Sequence, residues 1–280
     1  MSNPQILPGL SAIAGDYDAL ICDVWGVIHN GKTPYPAACE ALRRFRETRG
    51  KVVLLTNAPR PPGDIVTMFD RLGVPHDCYD SIVTSGFAAR EDMEKRIASG
   101  LRAFYHLGPD RDRGVFEGLA AVATDVTQAD VVLCTGLFND ETEAPDDYAE
   151  IFAAMRARDL TMLCANPDIR VPRGDRLIWC AGALAQAYEK LGGQVVYYGK
   201  PHGPIYRAAL AQSGGAKRPL AIGDGLKTDV LGANRAGLDV LFVAGDLHAE
   251  ELGTFSPENL SAMLFAAGVS AVAAMPALVW

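Results

Sequence analysis

Short apolar runs alternate with amphipathic segments along this chain, and three of the runs stop on carboxylates or on a Thr-Asn pair. Strands are expected at 20–23, 52–56, 82–84, 103–107, 131–135, 161–165, 195–198, 220–223 and 240–243. Helical spacing falls at 37–48, 63–72, 88–99, 145–157, 181–191, 204–213 and 228–236. Strands that alternate with helices imply βαβ units and a mostly parallel sheet. The expected fold class is therefore α/β, with a Rossmann-like, doubly wound parallel-sheet core. Open parallel sheets bind ligands outside the carboxyl ends of their strands. The informative endings are Asp23 in Ala19-Leu-Ile-Cys-Asp-Val-Trp-Gly-Val-Ile28, Thr56-Asn57 after Val53-Leu-Leu, and Asp224 with Asp229 in Gly223-Asp-Gly-Leu-Lys-Thr-Asp229. Converging at one edge, they would make a pocket suited to a divalent cation and a phosphoryl group.

The interval 57–200 is too long for one crossover and carries strand and helix signals of its own. Residues 85–176 are expected to form an inserted α/β domain, with 1–84 and 177–280 as the core. The loop Asn166-Pro-Asp-Ile-Arg170 would then hang over the mouth of the site. Asn30-Gly31 favours a tight hairpin after Asp23. Thr228 is the expected cap of the helix that holds Asp229, and Gly237 the residue that ends it. Gly214-Gly215 reads as a helix-ending turn.

Composition narrows the partners. With 280 residues, 49% apolar and 21% charged, the chain can bury a sizeable core. A net charge of −8 argues against nucleic acid and anionic membranes, whose phosphates would repel it. Six cysteines are scattered without a Cys-x-x-Cys pair, as expected of free buried thiols in a reducing compartment. Met1-Ser-Asn-Pro-Gln5 lacks the basic start and apolar run of a secretory signal, so a cytoplasmic location is expected. The uncharged stretch 260–280 is long enough to span a bilayer. It is broken by Gly268 and Pro276 and has no flanking Lys or Arg, so a short buried helix and a packed apolar tail are expected. No Walker loop, dinucleotide-binding glycine motif or Gly-x-Ser-x-Gly elbow is present.

Each ending is weak alone, because a carboxylate at a strand end is often a turn or cap residue. Their order carries the weight. Asp23 with Gly26-Val27, then Thr56-Asn57, then Gly199-Lys200-Pro201, then Gly223-Asp224 through Asp229 resembles the four-motif order of haloacid dehalogenase (HAD) superfamily phosphatases. Asn166-Pro-Asp168 and Gly182-Ala-Leu184, with an insertion between the second and third motifs, resemble class IIA of that superfamily, the NagD-like sugar and nucleotide phosphatases. The likeness spans nearly the whole chain.

That resemblance implies a Mg²⁺-dependent phosphohydrolase. Asp23 would be the nucleophile and form an aspartyl-phosphate. Mg²⁺ would be held by Asp23, Asp224, the backbone carbonyl of Trp25 and, directly or through water, Asp229. Thr56 and Asn57 would donate to the phosphoryl oxygens, and Lys200 would balance their charge. Asn166, Asp168 and Arg170 of the cap are candidates to face a small phosphorylated metabolite. Caps of this class often mediate dimers, so a homodimer is among the implied assemblies.

One position departs from the family. Its first motif normally reads Asp-x-Asp, and the second Asp protonates the leaving group. Here Trp25 stands in that place, with one indole N–H and no usable proton chemistry. Three readings follow: an enzyme for substrates with good leaving groups, such as acyl phosphates, phosphoramidates, anhydrides or aryl phosphates, an enzyme whose acid comes from the cap or flap, with His29 the nearest titratable candidate, or a degenerate relative that binds phosphometabolites with little turnover. The intact Asp23, Lys200, Asp224 and Asp229 favour catalysis.

Overall fold

A computed structural model describes residues 4–173, 176–245, 248 and 252–280. The chain divides into two compact units. The first comprises 1–56, 63–83 and 200–280; the second comprises 57–62 and 84–199.

The strands in chain order begin with β1 (Gln5–Ile6), β2 (Ala19–Asp23), β3 (Lys51–Thr56) and β4 (Ser81–Thr84). In the second unit follow β5 (Ala103–Leu107), β6 (Val122–Ala123), β7 (Val131–Cys134), β8 (Met162–Cys164), β9 (Arg170–Arg173), β10 (Arg176–Trp179) and β11 (Val195–Tyr197). The chain returns to the first unit for β12 (Pro219–Gly223), β13 (Asp239–Val243) and β14 (Ala273–Met275). Among the described residues the α-helices are α1 (Pro36–Thr48), α2 (Pro62–Leu72), α3 (Ser85–Ala98), α4 (Ala149–Ala157), α5 (Ala181–Lys190), α6 (Gly203–Gln212), α7 (Leu231–Ala236) and α8 (Pro257–Ala266).

The first unit is built on a seven-stranded sheet in the order β1-β14-β13-β12-β2-β3-β4. From β1 to β3 in that order, every neighbouring pair is parallel. The β2, β12 and β13 strands are fully or almost fully buried, as sheets covered on both faces require. The register decides the site. Asp23 pairs with Leu55, and Ile222 pairs with Cys22. Thr56 and Asp224 therefore each leave the sheet at the same edge as Asp23. The switch from β12–β13 on one side of β2 to β3–β4 on the other lies at that edge, where such sheets bind ligands.

The second unit holds a five-stranded sheet in the order β11-β8-β7-β5-β6, parallel throughout, and the antiparallel pair β9–β10. Its core includes Val132, Tyr148, Phe152, Met155, Leu184 and Tyr188. The expected division differs in two places. Residues 57–62, expected in the core, fall in this unit. Residues 177–199 belong to this unit and not to the core, because β11 pairs with β8 and α5 packs its Leu184 and Tyr188 into the second core. An apolar run such as Val195–Tyr197 says that it is a strand but not which sheet will take it.

Local details follow the turn chemistry. Asn30 Oδ1 accepts from the backbone N of Lys32 and Thr33, both at 2.9 Å, and Gly31 takes φ 84°. The flap after Asp23 is thus a tight turn, joined by single bridges from His29 to Trp25 and Pro34 rather than by a regular hairpin. All six cysteines are free and buried. The tail 260–280 contributes most of α8 and the strand β14 between β1 and β13. Among the described residues no helix is long and apolar enough to cross a membrane.

Candidate active site

Asp23 ends β2 with 7% of its surface exposed. Asp224 follows β12, and Asp229 lies on a wide helical turn, Leu226–Val230, that precedes α7. That turn is closed by Asp229 N and Val230 N, which both donate to Gly225 O, at 2.9 and 3.0 Å. Thr228 is not the helix cap the sequence suggested; its hydroxyl donates to Asp229 Oδ2 at 3.1 Å. The spacing Asp-x-x-x-x-Asp thereby folds the second acid back toward the first. One carboxylate oxygen from each of Asp23, Asp224 and Asp229 lies within 4.8 Å of the other two, and all three residues are buried.

Lys200 enters from the loop before α6 and is 4% exposed. Its Nζ donates to Asp23 Oδ1 at 2.5 Å and to Asp229 Oδ1 at 2.7 Å. One ammonium faces three carboxylates, so the buried cluster holds an excess of negative charge. Burial and the neighbouring Asp229 push the Asp23 carboxyl well above the usual range. Burial, then Asp229, raises Asp224 to about 6. Burial alone would depress Lys200, but Asp229 and Asp23 outweigh it and hold the ammonium protonated. Three oxygen ligands with uncompensated charge fit a hard divalent cation, which would relieve both desolvation and repulsion.

Backbone geometry makes room for this cluster. Gly26 has φ 84°, and a Cβ there would stand 2.0 Å from Asp224 Oδ2, so a side chain is excluded twice over. Two supports were not legible in the sequence. Tyr206 on α6 donates to the backbone O of Asp229 at 3.1 Å, and His248 Nε2 donates to the backbone O of Asp224 at 2.9 Å. A Tyr in a helix or a His in a loop carries no signal of its backbone partner.

Trp25 is 41% exposed, and its indole lies against the Gly31 turn: a Cβ on Gly31 would be 3.3 Å from Trp25 Nε1. His29 is not the surface residue or acid the sequence allowed. It is 2% exposed, its Nδ1 accepts from Gly31 N at 2.8 Å, and its ring meets Phe69 edge-on. Burial drives its pKa down to about 4, so at neutral pH the ring is neutral and has no proton of suitable strength to give. A folded-state value below the unfolded one, ordinarily about 6.5, means the unfolded chain takes up a proton first. Stability due to His29 is complete above about 6.5 and is lost as pH falls toward 4. Urea unfolding at pH 7 and pH 5 should show wild type losing about 2 kcal/mol more than His29→Leu over that interval; equal losses would refute this assignment.

Thr56 is the last residue of β3 and belongs to the first unit; the remaining expected site residues lie in the second. Asn57 Nδ2 donates to Asp168 Oδ1 at 2.8 Å, and Asn166 Oδ1 accepts from Asp168 N at 3.0 Å. Arg170 is exposed, with its guanidinium 3.5 Å over the Trp179 ring.

Comparison with known proteins bears on this geometry. A family model for haloacid dehalogenase-like hydrolases matches residues 20–121, and a HAD-hydrolase-like model matches 197–264. The chain is 30% identical over 234 residues to the ribonucleotide monophosphatase NagD of Escherichia coli K12, covering 80% of this chain and 86% of that one. The chain belongs to the haloacid dehalogenase-like hydrolases. Within that superfamily it is a NagD-like phosphatase. A haloacid dehalogenase-like hydrolase from Brucella suis 1330 shares the fold with TM-score 0.82 and 42% identity, over 98% of this chain and all of that one (100%). Glycerol phosphate phosphatase from Mycobacterium tuberculosis, solved in complex with magnesium, superposes with TM-score 0.65 at 26% identity, over 82% of this chain and 69% of that one.

Proposed function

We propose that this HAD phosphatase is a Mg²⁺-dependent hydrolase of small phosphorylated metabolites that works through an aspartyl-phosphate on Asp23. The observation that carries the reading is the cluster of three buried carboxylates, two of which, Asp23 and Asp229, are bridged by Lys200. Asp23, Asp224 and Asp229 would hold the cation, with the carbonyl of Trp25. When bound, Mg²⁺ would neutralise the repulsion between carboxylate and phosphate.

The remaining chemistry belongs to the chain. A carboxylate oxygen of Asp23 attacks phosphorus, a P–O bond forms, and the bond to the leaving oxygen breaks. Water then attacks the same phosphorus and releases inorganic phosphate, which restores the Asp23 carboxylate. Lys200, between Asp23 and Asp229, orients the nucleophile and balances charge that builds on the phosphoryl oxygens. Thr56 and Asn57, where β3 ends, supply hydrogen-bond donors to that group. Arg170 is the second unit's candidate for substrate choice.

With Trp25 in the acid position, the leaving oxygen departs without a strong proton donor. Substrates with good leaving groups, such as acyl phosphates, anhydrides and aryl phosphates, are therefore favoured. The competing reading is a protein that binds phosphometabolites with little turnover; the same Trp25 motivates it. A phosphate-release screen distinguishes the two. It should cover acetyl phosphate, pyrophosphate, an aryl phosphate, sugar phosphates and nucleoside monophosphates. Release should be highest from the first three, vanish with chelator and return with Mg²⁺. No release from any of them, with Mg²⁺-dependent binding intact, would establish the binding protein instead.

A further inference from the structure

The loop Asn166-Pro-Asp168 follows β8 and reaches Asn57 through the Asp168 carboxylate. Asn57 is 7% exposed and donates its amide N–H to Asp168 Oδ1 at 2.8 Å. The loop itself is braced, because buried Asn166 accepts from the backbone N of Asp168 and bonds the Cys180 thiol. On its other side Asn57 meets a backbone wall. A Cβ on Gly199 would stand 2.5 Å from Asn57 Oδ1 and 2.4 Å from Pro167 Cδ, so no side chain fits there. Asn57 is thus gripped between Gly199 and Asp168, and it directly follows Thr56. Whatever fixes its side chain also fixes the peptide that leaves β3.

We infer that Asp168 is a positioning residue, whose carboxylate sets the Asn57 side chain and with it the Thr56–Asn57 peptide, and is not a contact for the organic part of the substrate. This rests on the phosphohydrolase reading above, in which that peptide serves the phosphoryl group. The two roles make opposite demands. A substrate contact is felt by some esters and not by others. A device that positions the phosphoryl-binding peptide is felt equally by every ester and by inorganic phosphate, since the phosphoryl group is common to all.

The test measures kcat and KM for esters that differ in size and charge, and the binding of inorganic phosphate by calorimetry in Mg²⁺. Asp168→Ala should lower kcat/KM by one common factor, roughly tenfold for loss of a hydrogen bond to a charged group, and weaken phosphate by the same factor. Asp168→Asn keeps an acceptor oxygen and should recover most of both. In an Asn57→Ala background, Asp168→Ala should cost little more, because the two act as a unit. If Asp168→Ala does not fold, Asp168→Ser, too short to reach Asn57, replaces it. A loss confined to one ester class, or full phosphate affinity in the variant, would overturn the inference. If the wild type binds phosphate but hydrolyses no ester, the function fails while the phosphate arm still judges Asp168. If it binds no phosphate, both fall.

Discussion

Asp23→Asn is expected to abolish phosphate release from every ester, by at least about 10⁴-fold, because an amide cannot form the aspartyl-phosphate and no other carboxylate takes its place in line. The change is nearly isosteric. It removes one of three crowded, buried carboxylates while Lys200 keeps Asp229 at 2.7 Å, so the fold should persist with unchanged or higher thermal stability. The check is steady-state release with the variant purified from a host free of contaminating phosphatase. A variant that retains a percent or more of wild-type turnover on any ester would mean that the attacking group is water or a different residue. Mg²⁺-dependent ligand binding by the same variant separates loss of chemistry from loss of the site.

The second large effect concerns Trp25. If the leaving group departs without an acid, kcat/KM of the wild type should fall steeply as leaving-group pKa rises. Trp25→Asp would place a carboxyl where the family has one, and proton transfer by such a group is typically worth about 10²–10⁴-fold. Turnover of sugar phosphates should rise by about 10²-fold, while acetyl phosphate changes little, so the slope flattens. The structure makes the experiment practicable. Trp25 is 41% exposed and leans on the Gly31 turn, so the fold should lose no more than about 1 kcal/mol. Efficient hydrolysis of an ordinary sugar phosphate by the wild type, with a slope that Trp25→Asp leaves unaltered, would falsify the account. His29 offers no escape, since it is buried and neutral at working pH.

The acidic strand ends are legible in the sequence because two local rules suffice. Apolar runs with helical spacing between them define βαβ units, and parallel sheets present one edge to ligands. Asp23, Asp224 and Asp229 do meet at that edge, and the pairings Asp23–Leu55 and Cys22–Ile222 are the physical reason. The departure at Trp25 was equally plain, since residue type alone decides whether a proton can be given.

Other features needed the folded chain. Val195–Tyr197 has the same apolar pattern as a core strand, yet it joins β8 in the second unit, because periodicity records burial and not the identity of a neighbour. His29 follows a strand end in a flap that reads as surface, but packing against Phe69 buries it. Thr228 has the composition of a cap and serves Asp229 instead. Asp168 finds Asn57 across 111 positions of sequence. By itself, then, the sequence determined the fold class, the acidic strand ends and the place of a tryptophan two residues after Asp23, which follow from local pattern and residue type. Only the tertiary structure decided which sheet takes each strand, which side chains are buried and which polar groups meet, because those depend on contacts between residues far apart in the chain.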